Sequence, residues 1–280
     1  MQRFKDKVVL ITGAARGQGR SHAIRFAEEG ANIIALDGCA PVKGTNYEMA
    51  TREDLDQTVR LVEKTGARII ASVADVRSQQ QLDDATALGV REFGRIDVVI
   101  ANAGIFTQSK NSWEMTEDEW SSTIDVDLSG VWRTCKSAVP TMIAGAEGGS
   151  IIITASSNGY RGEAGHPSYN AAKLGLVGLM RTLAGELGDH SIRVNTIHPT
   201  NVKTAMMWND TMVDTFIPGE TTATINQDSW WKGMEGMHML PIGAIEPEEV
   251  SDVVLFLASS AGKHITASEF PIDAGYIRKN

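Results

Sequence analysis

Two hydrophobic periods alternate along this chain of 280 residues. Short runs rich in Val and Ile predict buried strands, and the segments between them, with apolar residues three or four positions apart, predict amphipathic helices. The predicted strands lie near residues 8–12, 32–36, 68–74, 97–101, 150–155, 193–198 and 269–273. The predicted helices cover residues 21–29, 52–65, 79–93, 120–144, 168–187 and 247–259.

Apolar strands interleaved with amphipathic helices are typical of a parallel sheet covered by helices on both faces. We therefore predict an α/β fold: a single doubly wound, Rossmann-type domain over residues 1–280, with about seven parallel strands and helices on both faces. No stretch rich in Pro, Gly and Ser divides the chain, and its composition does not change midway.

Residues 205–245 interrupt this alternation. The segment has neither strand nor long-helix periodicity, yet it holds six of the 11 Met residues and three of the six Trp residues. One interpretation is an insertion that covers the core. The other is a lid of flexible thioethers and aromatic rings over an apolar substrate, and this is the interpretation that we carry forward.

Composition and charge narrow the class of protein. Hydrophobic residues make up 42% of the chain and charged residues 22%, as in soluble globular domains. The net charge of -9 argues against a nucleic-acid partner or an anionic membrane, and no apolar run approaches the roughly eighteen residues of a membrane span. The two Cys give no disulfide framework, so we expect a reducing, cytoplasmic environment. The Cys and the scattered His lack metal-ligand spacing, and we predict no metal site.

A glycine-rich turn follows the first predicted strand. Gly13, Gly17 and Gly19 stand in a G-x-x-x-G-x-G spacing immediately before the first predicted helix. Glycines let the backbone turn tightly and approach a pyrophosphate, which the free N–H groups of the helix N-terminus then face. Strand, turn and helix in this order predict a dinucleotide-binding site, which includes the neighbouring Arg16 and Gln18.

The ends of the next two strands predict where the adenosine lies. Asp37 ends the second strand, where a carboxylate can accept both adenosine-ribose hydroxyls and would repel the 2'-phosphate of NADP. Arg16 could contact such a phosphate, but no second basic residue immediately follows Asp37, so we predict NAD. Asp75, with Val76, ends the third strand; its carboxylate either accepts from the adenine amine or caps the next helix.

A tyrosine and a lysine form the candidate for chemistry. Tyr169 and Lys173 are four residues apart in a predicted helix, with Ser156 thirteen residues upstream of the tyrosine. That spacing puts the phenol and the ammonium on one helix face. A phenol with a pKa of about 10 acts as an acid or base near neutrality only when its phenolate is stabilised, and a neighbouring ammonium does this. The three residues predict a proton-transfer site.

Together these motifs resemble the short-chain dehydrogenase/reductase family. Further positions that match the family are Asn102, Ala103 and Gly104 after the fourth strand, and Pro199, Val202 and Thr204 after the sixth. The resemblance covers nearly the whole chain and implies a Rossmann-type fold, a nicotinamide cofactor and interconversion of an alcohol and a carbonyl compound. It also implies that Val202 and Thr204 fix the nicotinamide carboxamide.

The resemblance implies a mechanism in which Tyr169 exchanges a proton with the substrate oxygen. Lys173 would lower the pKa of the phenol and donate to the nicotinamide-ribose hydroxyls. Ser156 would hold the substrate oxygen, because the adjacent Ser157 does not have the family's thirteen-residue spacing. Asp127 departs from the family pattern, which usually has an Asn that supports a water leading to the lysine. Its charge would favour a charged Lys173, oppose phenolate at Tyr169 and so alter the pH dependence.

A narrower resemblance is to the carveol-dehydrogenase-like branch of the family, whose members are often labelled mycofactocin-coupled. The segments that carry it are residues 11–22, an insertion at residues 38–52, and His198-Pro199-Thr200. In that branch the insertion is associated with NAD that is held too firmly to exchange freely. The resemblance thus implies tightly bound NAD and an external redox partner for it, and the wider family implies a homotetramer built on the helices at 120–144 and 168–187.

The leading prediction is an NAD-dependent oxidoreductase that interconverts a secondary alcohol and a ketone, with a small apolar, alicyclic or terpenoid substrate of the carveol type. Two alternatives stay open. One is a reductase of 3-ketoacyl thioesters with the same fold, which Asp37 and the acidic composition disfavour. The other is a sensor that binds NAD without turnover, which the intact Ser156, Tyr169 and Lys173 disfavour and Asp127 keeps open.

Overall fold

Parallel strands form one sheet in the computed structural model, which describes residues 2–107 and 111–279. The strands are β1 (Val8–Thr12), β2 (Asn32–Asp37), β3 (Ile69–Val73), β4 (Val98–Ala101), β5 (Gly149–Thr154), β6 (Ile192–Pro199) and β7 (Glu269–Ile272). Their order across the sheet is β3-β2-β1-β4-β5-β6-β7, and every neighbouring pair is parallel. The predicted α/β fold with about seven parallel strands is confirmed.

Helices pack on both faces of this sheet. The α-helices are α1 (Gly17–Glu28), α2 (Arg52–Glu63), α3 (Gln79–Phe93), α4 (Glu117–Ile124), α5 (Gly130–Gly145), α6 (Ser157–Arg161), α7 (Pro167–Leu187), α8 (Asp210–Phe216), α9 (Gln227–Gly233) and α10 (Pro247–Ala258). One apolar cluster lies beneath α1, α2 and α10, and another beneath α3, α5 and α7. Consecutive β1 residues, such as Leu10 and Ile11, belong to opposite clusters, which is why the strands are apolar throughout rather than alternating.

The strand order reverses beside β1. The chain runs outward from β1 through β2 to β3 and then returns to β4 on the other side of β1. The connections that leave the carboxyl ends of β1 and β4 therefore diverge and open a crevice between them. This crevice is where doubly wound sheets bind their ligands, and it brings the residues after Thr12 and after Ala101 together.

The predicted helix over residues 120–144 is helical throughout, but it is not a single α-helix, because a π-helical turn divides it. The chain forms α4, then a π-helical turn at Asp125–Ser129, and then α5. A π turn holds more residues than an α turn and so changes the direction of its side chains. Asp127 lies in this turn and is fully buried. Gly130 follows the turn and lets α5 approach Val76, because a Cβ at Gly130 would lie 2.7 Å from Val76 Cγ2.

Residues 205–245 form two short helices, α8 and α9, joined by turns, as the missing periodicity predicts. They enclose a third apolar cluster, whose buried members are Met212, Val213, Trp230, Trp231 and Met234. Phe106, in the loop after β4, packs against this cluster. The segment therefore has its own small core and contacts the loop at the crevice.

Replacing Gly130 by Ala is expected to lower the free energy of unfolding by about 1–3 kcal/mol, because the new methyl group would overlap the β-branched side chain of Val76. The matched control is Gly185→Ala in α7, where a Cβ would meet no atom within 4 Å and where Ala favours the helix by about 0.5–1 kcal/mol. Urea unfolding followed by circular dichroism measures both. Equal changes of the same sign in the two variants would contradict the close approach at Gly130.

Candidate functional site

A cavity of about 430 Å³ lies at the carboxyl ends of the strands. The residues singled out from the sequence that line it are Gly13, Arg16, Gly17, Gln18, Asp37, Asp75, Val76, Asn102, Ala103, Gly104, Ser156, Tyr169, Lys173, Pro199, Val202 and Thr204. Gly19 and Asp127 lie behind the residues that line the cavity. Gly19 supports the glycine turn, and Asp127 contacts Lys173. The structure thus brings the predicted residues together at one place.

The glycine turn depends on two backbone angles and one close approach. Gly13 has φ of 68° and Gly17 of 55°, values that favour glycine. A Cβ on Gly19 would lie 2.0 Å from the carbonyl oxygen of Gly13, which excludes a side chain there. The first helix begins at Gly17 rather than at residue 21 as predicted, and its first residues, Gly17 and Gln18, line the cavity. The free N–H groups of this turn are therefore placed to bind a phosphate.

Asn102 fastens the glycine turn to the end of β4. Its side-chain amide donates to the carbonyl oxygen of Thr12 at 3.0 Å. In return, the Thr12 hydroxyl oxygen accepts from the backbone N–H groups of Asn102 at 3.1 Å and Ala103 at 3.2 Å. Gly104 follows, and a Cβ there would come within 3.1 Å of Lys173 Nζ. This segment therefore joins the glycine turn to the lysine.

Asp37 ends β2 with both carboxylate oxygens bonded to the backbone. Oδ2 accepts from the N–H of Ala15 and Oδ1 from the N–H of Cys39, each at 3.0 Å. These bonds hold the carboxylate at the cavity wall. Arg16 turns toward the insertion, where its guanidinium donates to the carbonyl oxygen of Glu48. Arg16, which could have contacted a 2'-phosphate, is therefore hydrogen-bonded to the insertion.

Asp75 lines the cavity but is also paired with a near neighbour. Its carboxylate accepts from the backbone N–H of Arg77 at 2.8 Å and pairs with the Arg77 guanidinium at 2.6 Å. The N-terminal cap of α3 is Ser78, whose hydroxyl oxygen accepts from the backbone N–H of Gln81. The alternative that Asp75 caps this helix is therefore wrong, and its role toward adenine stays a prediction.

Tyr169 and Lys173 lie one turn apart on α7, with Lys173 Nζ 5.5 Å from the centroid of the Tyr169 ring. Ser156 caps α6, and its side chain lies close enough to the Tyr169 phenol to lower the pKa of that group. The neighbouring Ser157 hydroxyl donates to the carbonyl oxygen of Pro199 at 3.0 Å. The structure therefore places Ser156, rather than Ser157, beside the phenol.

Lys173 and Asp127 form a buried ion pair. Lys173 Nζ lies 3.2 Å from Asp127 Oδ2 and donates to the carbonyl oxygen of Thr154 at 3.1 Å. The other oxygen of Asp127 accepts from the backbone N–H of Ile105 at 2.8 Å. Asp127 is 0% exposed and Lys173 3%. The carboxylate thus contacts the lysine directly, at the position where family members usually have an amide.

Burial and mutual charges shift the pKa values of Tyr169, Lys173 and Asp127. Burial raises the pKa of the Tyr169 phenol, the Lys173 ammonium opposes that rise, and the charge of Asp127 adds to it. Burial lowers the pKa of Lys173, Asp127 and the charge of Tyr169 raise it, and the net shift is upward. Burial raises the pKa of Asp127, while Lys173 lowers it. Asp127 therefore favours charged Lys173 and makes the phenolate harder to form, the two directions expected from the sequence.

The insertion at residues 38–52 extends from the end of β2 along the cavity. Its residues that line the cavity are Gly38, Cys39, Ala40, Val42, Tyr47, Met49 and Ala50. The carbonyl oxygen of Asn46 accepts from the hydroxyl of Thr211, in α8, at 2.9 Å. Lys43 forms an ion pair with Asp118 of α4. The insertion therefore contacts both α4 and the segment at 205–245.

Sequence reasoning missed the aromatic residues at the end of the cavity that holds Tyr169. The Phe106 ring lies 5.0 Å from the Tyr169 ring and 4.7 Å from the His166 ring, centroid to centroid. Tyr47 in the insertion and Tyr276 near the last residues line the same cavity. None of these residues has a characteristic spacing. Tyr47 is an aromatic residue inside a polar insertion, which marks its position but does not predict a role for it.

Metal ligands, thiols and membrane-spanning helices can be examined in the same way. Within 2–107 and 111–279, no three His, Cys, Asp or Glu side chains cluster as metal ligands would. Cys39 and Cys135 are free thiols, and burial raises the pKa of each to about 12, so neither is a thiolate near neutrality. No helix in the described part of the chain combines the length and apolar character needed to cross a membrane.

Known proteins are similar to this chain over most of its length. Residues 7–213 match the family described as short chain dehydrogenase. The chain is similar to (-)-trans-carveol dehydrogenase of Rhodococcus erythropolis, with 43% identity over 275 residues, 98% of this chain and 99% of that protein. Carveol dehydrogenase from Mycobacterium avium in complex with NAD has a TM-score of 0.96 at 41% identity, over 100% of both chains. A short chain dehydrogenase from Mycobacterium paratuberculosis bound to NAD has a TM-score of 0.90 at 36% identity, over 99% of this chain and 100% of that chain.

The substitution Asp127→Asn is expected to lower the pKa of the Tyr169 phenol, because it removes a negative charge that opposes the phenolate. The amide oxygen can still accept from the backbone of Ile105. Tyrosinate absorbance against pH measures the change, and Tyr169→Phe in each background isolates this phenol. The control is Asp125→Asn, whose carboxylate is 51% exposed and should leave the curve unchanged. A Tyr169 curve that Asp127→Asn does not move would contradict the electrostatic role.

Proposed function

Because the chain belongs to the short-chain dehydrogenase family, we propose that it is an NAD-dependent oxidoreductase that interconverts a secondary alcohol and a ketone. One observation carries the proposal. A single cavity has Ser156, Tyr169 and Lys173 at one end and the glycine turn with Asp37 at the other, so that a proton-transfer site adjoins a dinucleotide cradle.

The residues present fit NAD. The glycine turn leaves a cradle that a side chain would fill, since a Cβ on Gly17 would lie 3.2 Å from Thr204 Cγ2 across the site. The first turn of α1 would hold the pyrophosphate, and Asp37 the adenosine ribose. The groups proposed around the rest of the dinucleotide are Asp75 and Val76 for adenine, Asn102, Ala103 and Gly104 along the wall, Tyr169 and Lys173 for the nicotinamide ribose, and Pro199, Val202 and Thr204 for the carboxamide. Bound there, NAD supplies or accepts a hydride.

The chain's own residues supply the proton chemistry. In oxidation, Tyr169 as phenolate removes the hydroxyl proton of the alcohol, and in reduction it returns a proton to the carbonyl oxygen. Ser156, beside Tyr169 in the same cavity, would hold that same oxygen within reach of the phenol. Lys173 favours the phenolate through its charge, and Asp127 keeps Lys173 charged while opposing the phenolate. Asp127 therefore acts through its charge on both the lysine and the phenol, as a positioning residue.

An apolar, alicyclic or terpenoid substrate is proposed from the lining of the cavity. The residues that the segment at 205–245 contributes are mainly apolar: Ala205, Met206, Met207, Met212, Thr215, Phe216 and Met237. Thioethers and a phenyl ring adapt to a hydrocarbon ring without a fixed hydrogen-bond pattern. Similarity to a carveol dehydrogenase supports the same class. We infer that this segment acts as the substrate lid.

The two alternatives receive less support. A 3-ketoacyl thioester reductase using NADPH would place a 2'-phosphate against Asp37, and the carboxylate would repel it. A sensor without turnover would have no need for Ser156, Tyr169 and Lys173 in mutual reach. The firm retention of NAD by the insertion, an external redox partner, the homotetramer and a cytoplasmic location stay predictions.

Tyr169→Phe is expected to reduce the rate of alcohol oxidation by about 100- to 10,000-fold, since it removes the acid/base group. The measurement is the rise of the reduced-nicotinamide absorption band after cyclohexanol is added to NAD-loaded protein, followed over a single turnover so that slow cofactor exchange does not limit it. The control is Tyr160→Phe, an exposed tyrosine on α6. Full activity in Tyr169→Phe would refute the mechanism, and no band with any cyclic alcohol would favour the sensor.

Asp37→Asn is expected to reduce the preference for NAD over NADP about 10-fold, because it removes about 1.4 kcal/mol of repulsion toward a 2'-phosphate. The ratio of kcat/KM values for the two cofactors measures this preference. Asp56→Asn, on the solvent side of α2, should leave the ratio unchanged. A wild-type enzyme that prefers NADP would show that Asp37 does not select the cofactor.

A further inference from the structure

We propose that Tyr47, which the insertion contributes, is a specificity-determining residue that donates a hydrogen bond to a second, uncharged oxygen of the substrate. The inference rests on the proposed function and deepens it. The preferred substrates would be alicyclic secondary alcohols or ketones that carry another hydroxyl or carbonyl group away from the reacting carbon.

The loop after β4 fixes the Tyr47 hydroxyl. The backbone N–H of Phe106 donates to the hydroxyl oxygen at 3.3 Å. That bond uses a lone pair of the oxygen and leaves the phenolic proton free. Within residues 2–107 and 111–279, no hydrogen bond uses this proton. Arg16 lies over the ring, 6.0 Å from its centroid, and its guanidinium donates to the next residue, Glu48. Tyr47 is therefore a fixed hydroxyl that still has a proton to donate.

Tyr47 lies at the end of the cavity where the chemistry occurs. The Phe106 residue that fixes it has its ring 5.0 Å from the Tyr169 ring, and all three residues line one cavity. Burial raises the pKa of the Tyr47 phenol against the effect of the Phe106 hydrogen bond, and the charges of Asp127 and Tyr169 add to the rise. Tyr47 therefore keeps its proton near neutrality, and it acts as a donor rather than as a second base.

The other polar groups at this end favour an uncharged partner for Tyr47. The Glu163 carboxylate lines the cavity, with Oε2 3.3 Å from the Tyr276 hydroxyl. It would repel a substrate carboxylate. Burial lowers the pKa of His166, so this imidazole is neutral near pH 7 and supplies no compensating charge. A hydroxyl or carbonyl oxygen on a hydrocarbon ring satisfies Tyr47 without meeting this repulsion.

The test compares the wild type with Tyr47→Phe on cyclohexanol and on cyclohexane-1,2-, 1,3- and 1,4-diol. The wild type is expected to be half-saturated at a lower concentration of at least one diol than of cyclohexanol. Tyr47→Phe should raise that concentration about 10-fold for the diol, while the value for cyclohexanol changes less than about two-fold. Tyr160→Phe is the matched control and should change neither value.

Three results would overturn the inference. They are equal changes for cyclohexanol and the diols, no change for either, or faster loss of NAD from Tyr47→Phe with unchanged selectivity, which would make Tyr47 a cofactor contact. Melting temperatures of the two proteins separate these outcomes from misfolding, since the phenyl ring is retained. Failure of the wild type to oxidise cyclohexanol and every diol would instead refute the proposed function itself.

Discussion

The ion pair between Asp127 and Lys173 is the interaction on which the rest of the site depends. It joins the π turn to α7, and each partner reaches a strand end: Asp127 binds the backbone of Ile105 after β4, and Lys173 binds that of Thr154 at the end of β5. Both charges are out of solvent. Burial disfavours both charges, and each partner stabilises the charge of the other. The pair therefore holds the lysine in place, and with it the geometry around Tyr169.

The same pair determines how reactive the phenol can be. A neutral amide in place of Asp127 would leave Lys173 to act on Tyr169 alone. The carboxylate instead acts on both groups, raising the pKa of the lysine and of the phenol. The lysine thereby keeps its charge to a higher pH, but the net stabilisation of the phenolate is smaller. Such a site keeps Tyr169 protonated to a higher pH than an amide at position 127 would.

Much of the fold and of the site could be predicted from local pattern. The strands are continuous apolar runs, and Gly13, Gly17 and Gly19 mark a turn that only glycine can form. The π turn could not be predicted, because helical periodicity continues through residues 120–144 and Asp127 finds its partners on two other elements, α7 and the loop after β4. Ser156 could be preferred to Ser157 by spacing, but the reason that Ser157 turns away is a distant carbonyl group at Pro199.

The role of Tyr47 could not be predicted either, because it depends on contacts with other parts of the chain. The insertion has no periodicity, so its geometry comes only from what it touches: Arg16 at the glycine turn, Phe106 at the reacting end, and Thr211 in α8. One short segment therefore contacts the parts proposed to hold cofactor, reacting carbon and lid. If α8 belongs to the proposed lid, a movement of it would break or carry along the hydrogen bond to Asn46, next to Tyr47. Opening of the proposed lid and loosening of the proposed cover over the cofactor would then be linked through these residues.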